Sequence, residues 1–288
     1  RELGKLHRLK RRGIPIVQRL DGTNWIHRRT SLNPRYWLKA EYGNLLMNYT
    51  RLRLADHIIY QSEFVRRRWE EVSRPAHAPH TIIYNSVDLA DFTPDGVSHQ
   101  TNGGRQRIMV VEGSFTGGHD IGLRLVLDLA DGLQVKHGIP TEVSVAGRVP
   151  EELQEKWNRH AQVPVEWLGI IGREQIPLWD RSAALLFSAE LNPACPNAVI
   201  EALACGLPVL GYDTGSLSEL VTPGAGKVVP YDGNPWKLEL PGTDQLIDAA
   251  AEIIQNKEMY RAGARLRAEA AFGLDQMVAR YVEVLESV

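Results

Sequence analysis

Between Ser188 and Glu219 the chain places polar residues wherever a short apolar element turns. The order reads strand end, loop, helix, strand, loop, helix. Gly206-Leu207-Pro208 closes one helix and launches the apolar strand Val209–Tyr212, and Asp213-Thr214-Gly215-Ser216 opens the next helix. In a parallel sheet such loops gather at the carboxyl ends of the strands, where α/β proteins bind ligands. Two helix amino termini facing one crevice offer unpaired backbone N–H groups, which suit a phosphate.

The elements that must position this segment alternate regularly. A polar, turn-rich stretch over residues 97–106 is the expected linker. After it, strands are expected at Arg107–Val111, Glu142–Ala146, Val165–Leu168 and Ala184–Phe187, separated by helices at Gly122–Lys136, Glu151–His160 and Glu174–Arg181. Val228–Val229 ends the sheet, helices over Asp244–Ile254 and Glu258–Ala271 follow, and Met277, Val278, Tyr281, Val282 and Leu285 recur at helical spacing. Before the linker the pattern is partial. Glu2–Arg12 and Tyr36–Asp56 read as helices, and Ile14–Leu20, His57–Tyr60 and Thr81–Tyr84 as strands. Strands alternating with helices predict parallel sheets with right-handed crossovers.

A length of 288 residues favours two domains. The 43% apolar and 24% charged content argues against disorder, and no apolar run approaches the ~18 residues of a spanning helix. Residues 1–96 hold 17 Lys and Arg against 10 Asp and Glu, and the remainder is acidic. That asymmetry fits either a membrane or polyanion face or a solvated helix surface. Cys195 and Cys205 fit a reducing compartment, and their spacing matches no metal site. Several motifs fail. The first turn after the linker, EGSFTGGHDIG, lacks Gly-x-Gly-x-x-Gly spacing. Gly224-Ala225-Gly226-Lys227 lacks the earlier glycine and the Ser or Thr of a phosphate loop. No Asp-x-Asp ends a strand, His77 and His80 have no other ligand type nearby, and no Ser-His-Asp or Cys-His set assembles.

CPNAVIEALACGLPVLGYDTGSLSELV resembles the donor-site signature of the family-four retaining glycosyltransferases. ADHIIYQSEFVRRRW, TIIYNSVDLADFTP, VEWLGIIGREQIPLWDRSAALLFSAE and FGLDQMVARYVEVL resemble further segments of that family, in order. The resemblance implies a GT-B fold: two Rossmann-like lobes facing a cleft, with a first lobe over 1–96 that is shorter than usual. It also implies a donor lobe over 97–272 and a final helix over 273–288 that crosses back. The implied activity is metal-independent, cofactor-free transfer of a sugar from a UDP-, GDP- or ADP-linked donor to a glycan or lipid-linked acceptor, with retention. Nucleic acid is not an expected partner. The implied location is cytoplasmic, with peripheral contact at the inner face of the membrane.

By the same resemblance Glu201 holds the donor ribose. A carboxylate can accept from two vicinal hydroxyls at once; a surface glutamate chosen for helix propensity is the alternative. Thr214, Gly215 and Ser216 are expected beside the donor phosphates, with Gly113 and Ser114 in the loop after the lobe's first strand. Cys195, Asn197 and Ala198 are expected near the sugar, and Asn197 is expected to cap its helix. Ser216-x-x-Glu219 satisfies a capping box. Three departures stand out. Pro193 occupies the place of the leading glutamate of the family's pair, with Glu190 and Asn192 out of register. Ser114 and His119 replace a basic pair, leaving Arg148 and His119 to balance the leaving diphosphate. The glycine-rich turn of the usual opening strand is missing. Asp21 lies where the family places a polar group near the reacting carbon, although an Asp-Gly turn also explains it. A non-catalytic nucleotide-sugar-binding module is the alternative function.

Overall fold

The computed structural model describes residues 2–30, 33–116 and 120–288. The first lobe contains α1 (Glu2–Arg11), β1 (Val17–Leu20), α2 (Pro34–Arg53), β2 (His57–Tyr60), α3 (Glu63–Val72) and β3 (His80–Ile82). Its three strands are parallel in the order β1-β2-β3. Every residue of β2 is buried, as expected of a central strand covered on both faces. Leu20, Ile58, Tyr60, Val65 and Trp69 form one core face, with Val65 and Trp69 supplied by α3. Ser62 caps α3, its hydroxyl accepting from the Val65 N–H at 3.2 Å.

The second lobe carries β4 (Gln106–Ser114), α4 (Ile121–His137), β5 (Thr141–Arg148), α5 (Glu151–His160), β6 (Val165–Gly169), α6 (Ile176–Ser182) and β7 (Leu185–Phe187). It continues through α7 (Asn197–Ala204), β8 (Val209–Tyr212), α8 (Leu217–Leu220), β9 (Gly226–Val229), α9 (Asp244–Gln255) and α10 (Lys257–Ala271). The six strands are parallel in the order β6-β5-β4-β7-β8-β9. Alternation along β4 sends Ile108 and Val110 to a core shared with α4 and α9, and Met109 to one shared with α6, α7 and α10. Strand order reverses between β4 and β7, so the crevice at their carboxyl ends is the doubly wound fold's ligand position.

Most expected elements form, with shifted ends. The strand expected at Thr81–Tyr84 runs over His80–Ile82, and the last strand starts two residues early, at Gly226. Pro177 falls in the first turn of α6, where its missing N–H costs nothing, so a short 3-10 turn precedes that helix. Finally α11 (Leu274–Glu286) packs Met277, Tyr281 and Val284 against Val17, Ile59 and Ile83 of the first lobe. Among the described residues no helix is long and apolar enough to cross a membrane.

Candidate active site in the interlobe cleft

The crevice is built at the carboxyl ends of β4, β5 and β7. β4 shifts register between Val111 and Ser114, which brings Ser114 opposite Arg148 at the end of β5. Arg148 is exposed, and its carbonyl accepts from Phe115 N–H at 3.1 Å. Gly113 is exposed beside it, and the Ser114 hydroxyl lies 3.0 Å from that of Thr116. The geometry thus places Gly113, Ser114 and Arg148 on one rim. His119 lies outside the described residues. Two carboxyls flank the switch point. Burial and the neighbouring Glu190 push the Glu112 carboxyl up to about 8, and burial raises Glu190 as well.

Glu201 sits one turn into α7, its side chain 13% exposed, with Arg173 Nε 3.3 Å from Oε1. Burial raises its pKa; the Arg173 charge and hydrogen bond pull it back. Glu201 and Arg173 line a cavity of about 670 Å³ together with Arg19, Asn85 and Asn197. Arg19 Nη2 donates to Asn85 Oδ1 at 2.5 Å, and Arg19 Nε donates to the Tyr281 hydroxyl at 2.9 Å. First lobe, final helix and donor helix therefore meet around one polar cavity.

The loop between β7 and α7 rests on the turn before α8. Gly215 takes φ +63°, and Ser216 N–H donates to Pro193 O at 2.9 Å. Thr214 Oγ1 accepts from the Asn192 N–H at 3.3 Å, while Thr214 N–H donates to Tyr212 O at 2.7 Å. The amides of Thr214 and Ser216 are thus engaged within the lobe. The Ser216 side chain is fully buried. Cys195 is buried, its thiol pushed up to about 12 chiefly by burial, and Ala198 occupies the second position of α7.

Two local expectations are corrected. The Ser216–Glu219 capping box does not form: the Ser216 side chain makes no capping bond. Glu219 instead reaches the first lobe, accepting from the N–H groups of Glu63 at 2.8 Å and Phe64 at 2.6 Å. Those are orphan donors in the first turn of α3, and a carboxylate there is favoured over a bond within its own four-residue helix. Nor does Asn197 cap α7. It is the first helical residue, and its Oδ1 accepts from Asn85 Nδ2 at 2.8 Å across the cleft. Ser62 Oγ adds a third tie, donating to Ala194 O at 2.6 Å.

The family model described as Glycosyl transferases group 1 matches residues 106–256, more than half of the chain. The chain belongs to this family. Its fold is that of the GT-B glycosyltransferases. A structure of Anabaena Alr3699/HepE in complex with UDP-glucose superposes with a TM-score of 0.70 at 15% identity, covering 99% of this chain and 75% of that one. Sucrose-phosphate synthase from Thermosynechococcus elongatus also gives 0.70 at 15% identity, over 94% of this chain and 67% of that one. A glycosyltransferase from Rickettsia africae gives 0.63 at 14% identity, over 98% and 79%. No curated protein sequence matches the chain.

In this glycosyltransferase Asp21 is exposed at the end of β1, its carbonyl accepting from Trp69 Nε1 at 2.8 Å. It lines a second, smaller cavity with Glu190 and Cys195, apart from Glu201. Among the described residues no group of three or more His, Cys, Asp or Glu could hold a metal ion. Sequence reasoning missed Arg19, Asn85 and Arg173. Each owes its place to a partner in a distant segment, and Arg19 and Asn85 belong to stretches that looked merely structural.

Proposed function

We propose that this chain transfers a sugar from a nucleotide diphosphate sugar to an acceptor hydroxyl with retention and without a metal. The observation that carries the reading is Glu201, a carboxylate largely withdrawn from water on the donor helix and facing the interlobe cavity. Two vicinal ribose hydroxyls satisfy its two oxygens. HepE, of the same fold, was crystallised with UDP-glucose and with UDP, which supports a nucleotide donor. As the sugar–phosphate bond loosens, negative charge grows on the diphosphate. Arg148 stands on the rim that would meet it, and His119 is the second group proposed to balance that charge. The acceptor enters from the first lobe, beside Asp21, and the leaving phosphate oxygen takes its proton. Pro193 leaves the leading-glutamate place empty; Glu190, three residues earlier, brings a carboxylate to the same cleft. That placement favours the enzyme over a binding module. The test is the product of a turnover assay, with NMR of its anomeric centre. Retention is expected, at a rate unchanged by EDTA; inversion or an EDTA-sensitive rate overturns it.

The same reading includes a membrane-surface or lipid-linked acceptor and a cytoplasmic, peripheral location. Its support is the net positive first lobe together with the outer face of α2, where Leu38, Tyr42 and Leu45 are more than half exposed near Arg35 and Lys39. In sedimentation with vesicles, binding is expected to rise with the anionic lipid fraction and to fall with salt. Equal binding to neutral vesicles removes this part.

A further inference from the structure

The connection between β9 and α9, residues 230–243, is longer than the ~4–6 residues typical of such links. It is braced from within. Gly242 N–H donates to Asp232 Oδ1 at 2.7 Å, Asn234 N–H donates to Glu239 Oε2 at 2.8 Å, and the Tyr231 hydroxyl donates to the Glu239 carbonyl. Leu238 takes φ +59°, a conformation that residues other than glycine keep only where their surroundings hold it. The root is fixed to the donor lobe. The Tyr212 hydroxyl, at the end of β8, donates to Gly242 O at 2.9 Å, and Asp213 N–H donates to Val229 O at 2.7 Å. Tyr212 and Asp213 lead directly into the Thr214–Ser216 turn.

The tip of this strap, a 3-10 turn over Pro235–Lys237, reaches the first lobe. Trp236 meets Trp25 edge-on with centroids 5.0 Å apart and stacks on Phe64 at 6.2 Å. Arg68, on the same face of α3 as Phe64, sets its guanidinium 3.9 Å over the indole. Burial lowers the pKa of Arg68, and its Nε is buried without a hydrogen-bond partner among the described residues. A cation so withdrawn from water gains most from an aromatic face. Arg29 Nε donates to the Trp236 carbonyl at 2.8 Å. Trp25 and Arg29 belong to the loop that begins at Asp21. Within the first lobe, α2 holds the same loop through Asn24, whose N–H donates to Asn44 Oδ1 at 3.0 Å.

We infer that Trp236 is a positioning residue, the tip of a braced strap that fixes the Asp21 loop and the start of α3 against the donor lobe. Its importance for transfer rests on the reading above, which brings the acceptor in beside Asp21. Asp21 and the Thr214–Ser216 turn stand on different lobes, and a reaction between groups so placed tolerates a misplacement of about 1 Å poorly. The strap joins them through contiguous contacts: the turn to Tyr212, Tyr212 to Gly242, and Trp236 to Trp25 and Arg29. None of residues 230–243 lines the Glu201 cavity, so the strap places the first lobe and does not touch the nucleotide. Trp25, Phe64 and Arg68 enclose the indole, which makes it an anchor and leaves no open face for a ligand.

Amide hydrogen exchange of the intact protein tests the strap. The amides of Arg28 and Arg29 are bonded within the Asp21 loop, to Trp25 O at 3.0 Å and Ile26 O at 2.9 Å, and that of Phe64 is bonded to Glu219 across the cleft. Trp236→Ala is expected to speed exchange at these three roughly tenfold or more, with β4 and β5 unchanged. Trp236→Phe should restore most of the protection. Asp232→Ala breaks the brace at the base of the strap, and should speed the same first-lobe amides about threefold or more. Calorimetry with UDP, GDP and ADP on the same variants is expected to give affinities within about twofold of wild type. Unchanged exchange at the three amides, or equal acceleration throughout both lobes, would overturn the inference. So would an effect of Trp236→Ala with none from Asp232→Ala, which would reduce Trp236 to local packing. Absence of nucleotide binding in the wild type would overturn the donor-site reading alone, since the exchange comparison needs no ligand.

Discussion

Replacing Glu201 with alanine is expected to weaken nucleotide binding by roughly 30- to 1,000-fold, the loss of two hydrogen bonds to a charged acceptor worth ~1.5–3 kcal/mol each, less what water recovers. The fold should not suffer. Burial disfavours the ionised form of Glu201. Its charge is the second cause, after burial, of the raised pKa of the buried Asp180 carboxyl. Arg173, its only ion-pair partner among the described residues, is 66% exposed and returns readily to solvent. The alanine variant should therefore melt at or slightly above the wild-type temperature while losing the nucleotide. A partly buried carboxylate with a raised pKa in a cleft is a candidate for a ligand contact. Calorimetry with UDP, GDP and ADP, beside thermal melts, separates the two effects. A variant that loses stability and keeps its affinity would count against a ribose contact.

The pH dependence follows with a definite sign. The folded-state pKa of Glu201 is raised, mainly by burial, and Arg173 opposes the rise. The ionised form accepts two bonds and the protonated form fewer, so affinity should be full above the raised pKa and fall as pH drops through it. Arg173→Ala removes the opposing charge, and the midpoint should move to higher pH. An unmoved midpoint would place the titrating group elsewhere.

Gly215→Ala should lower stability by about 2–4 kcal/mol, by overpacking and backbone strain together. A Cβ there would lie 2.4 Å from the nitrogen, oxygen and Cδ of Pro193, and the residue already sits at φ +63°. Backbone atoms cannot give way as a flexible side chain can. The loop carrying Glu190 and Asn192 must shift, breaking the Ser216-to-Pro193 bond. Donor turnover should fall with it. Gly138→Ala is the matched comparison. Gly138 has φ +66° at the end of α4, and a methyl group added there would meet nothing within 4 Å, so only the conformational cost of ~1 kcal/mol applies. Melting curves of the two variants isolate the contact: equal losses would show that Pro193 tolerates the methyl group.

The donor lobe was legible because its rules are local. Apolar runs of strand length, glycine and proline at turns and a helix beginning after Pro196 each act over a few residues. They place Glu201 on a helix facing the carboxyl ends of a parallel sheet. The two failed capping assignments mark the limit of that reasoning. Ser216-x-x-Glu219 has the spacing of a box, yet the Glu219 carboxylate goes to amides 155 and 156 residues away, because packing of the lobes brings the unpaired first turn of α3 to it. Asn197 likewise abandons its own helix for Asn85.

The sequence by itself determined the two α/β lobes and the helix that carries Glu201, since periodicity and turn chemistry depend only on near neighbours along the chain, and its motifs carried the family resemblance. Only the tertiary structure decided that Arg173 pairs with Glu201, that Glu112 faces Glu190, and that Trp236 reaches across the cleft to Trp25 and Phe64. Those meetings join segments separated by tens to hundreds of residues. Burial of the lobe cores and closure of one lobe on the other select them, and no local pattern in the chain encodes which distant residue will arrive.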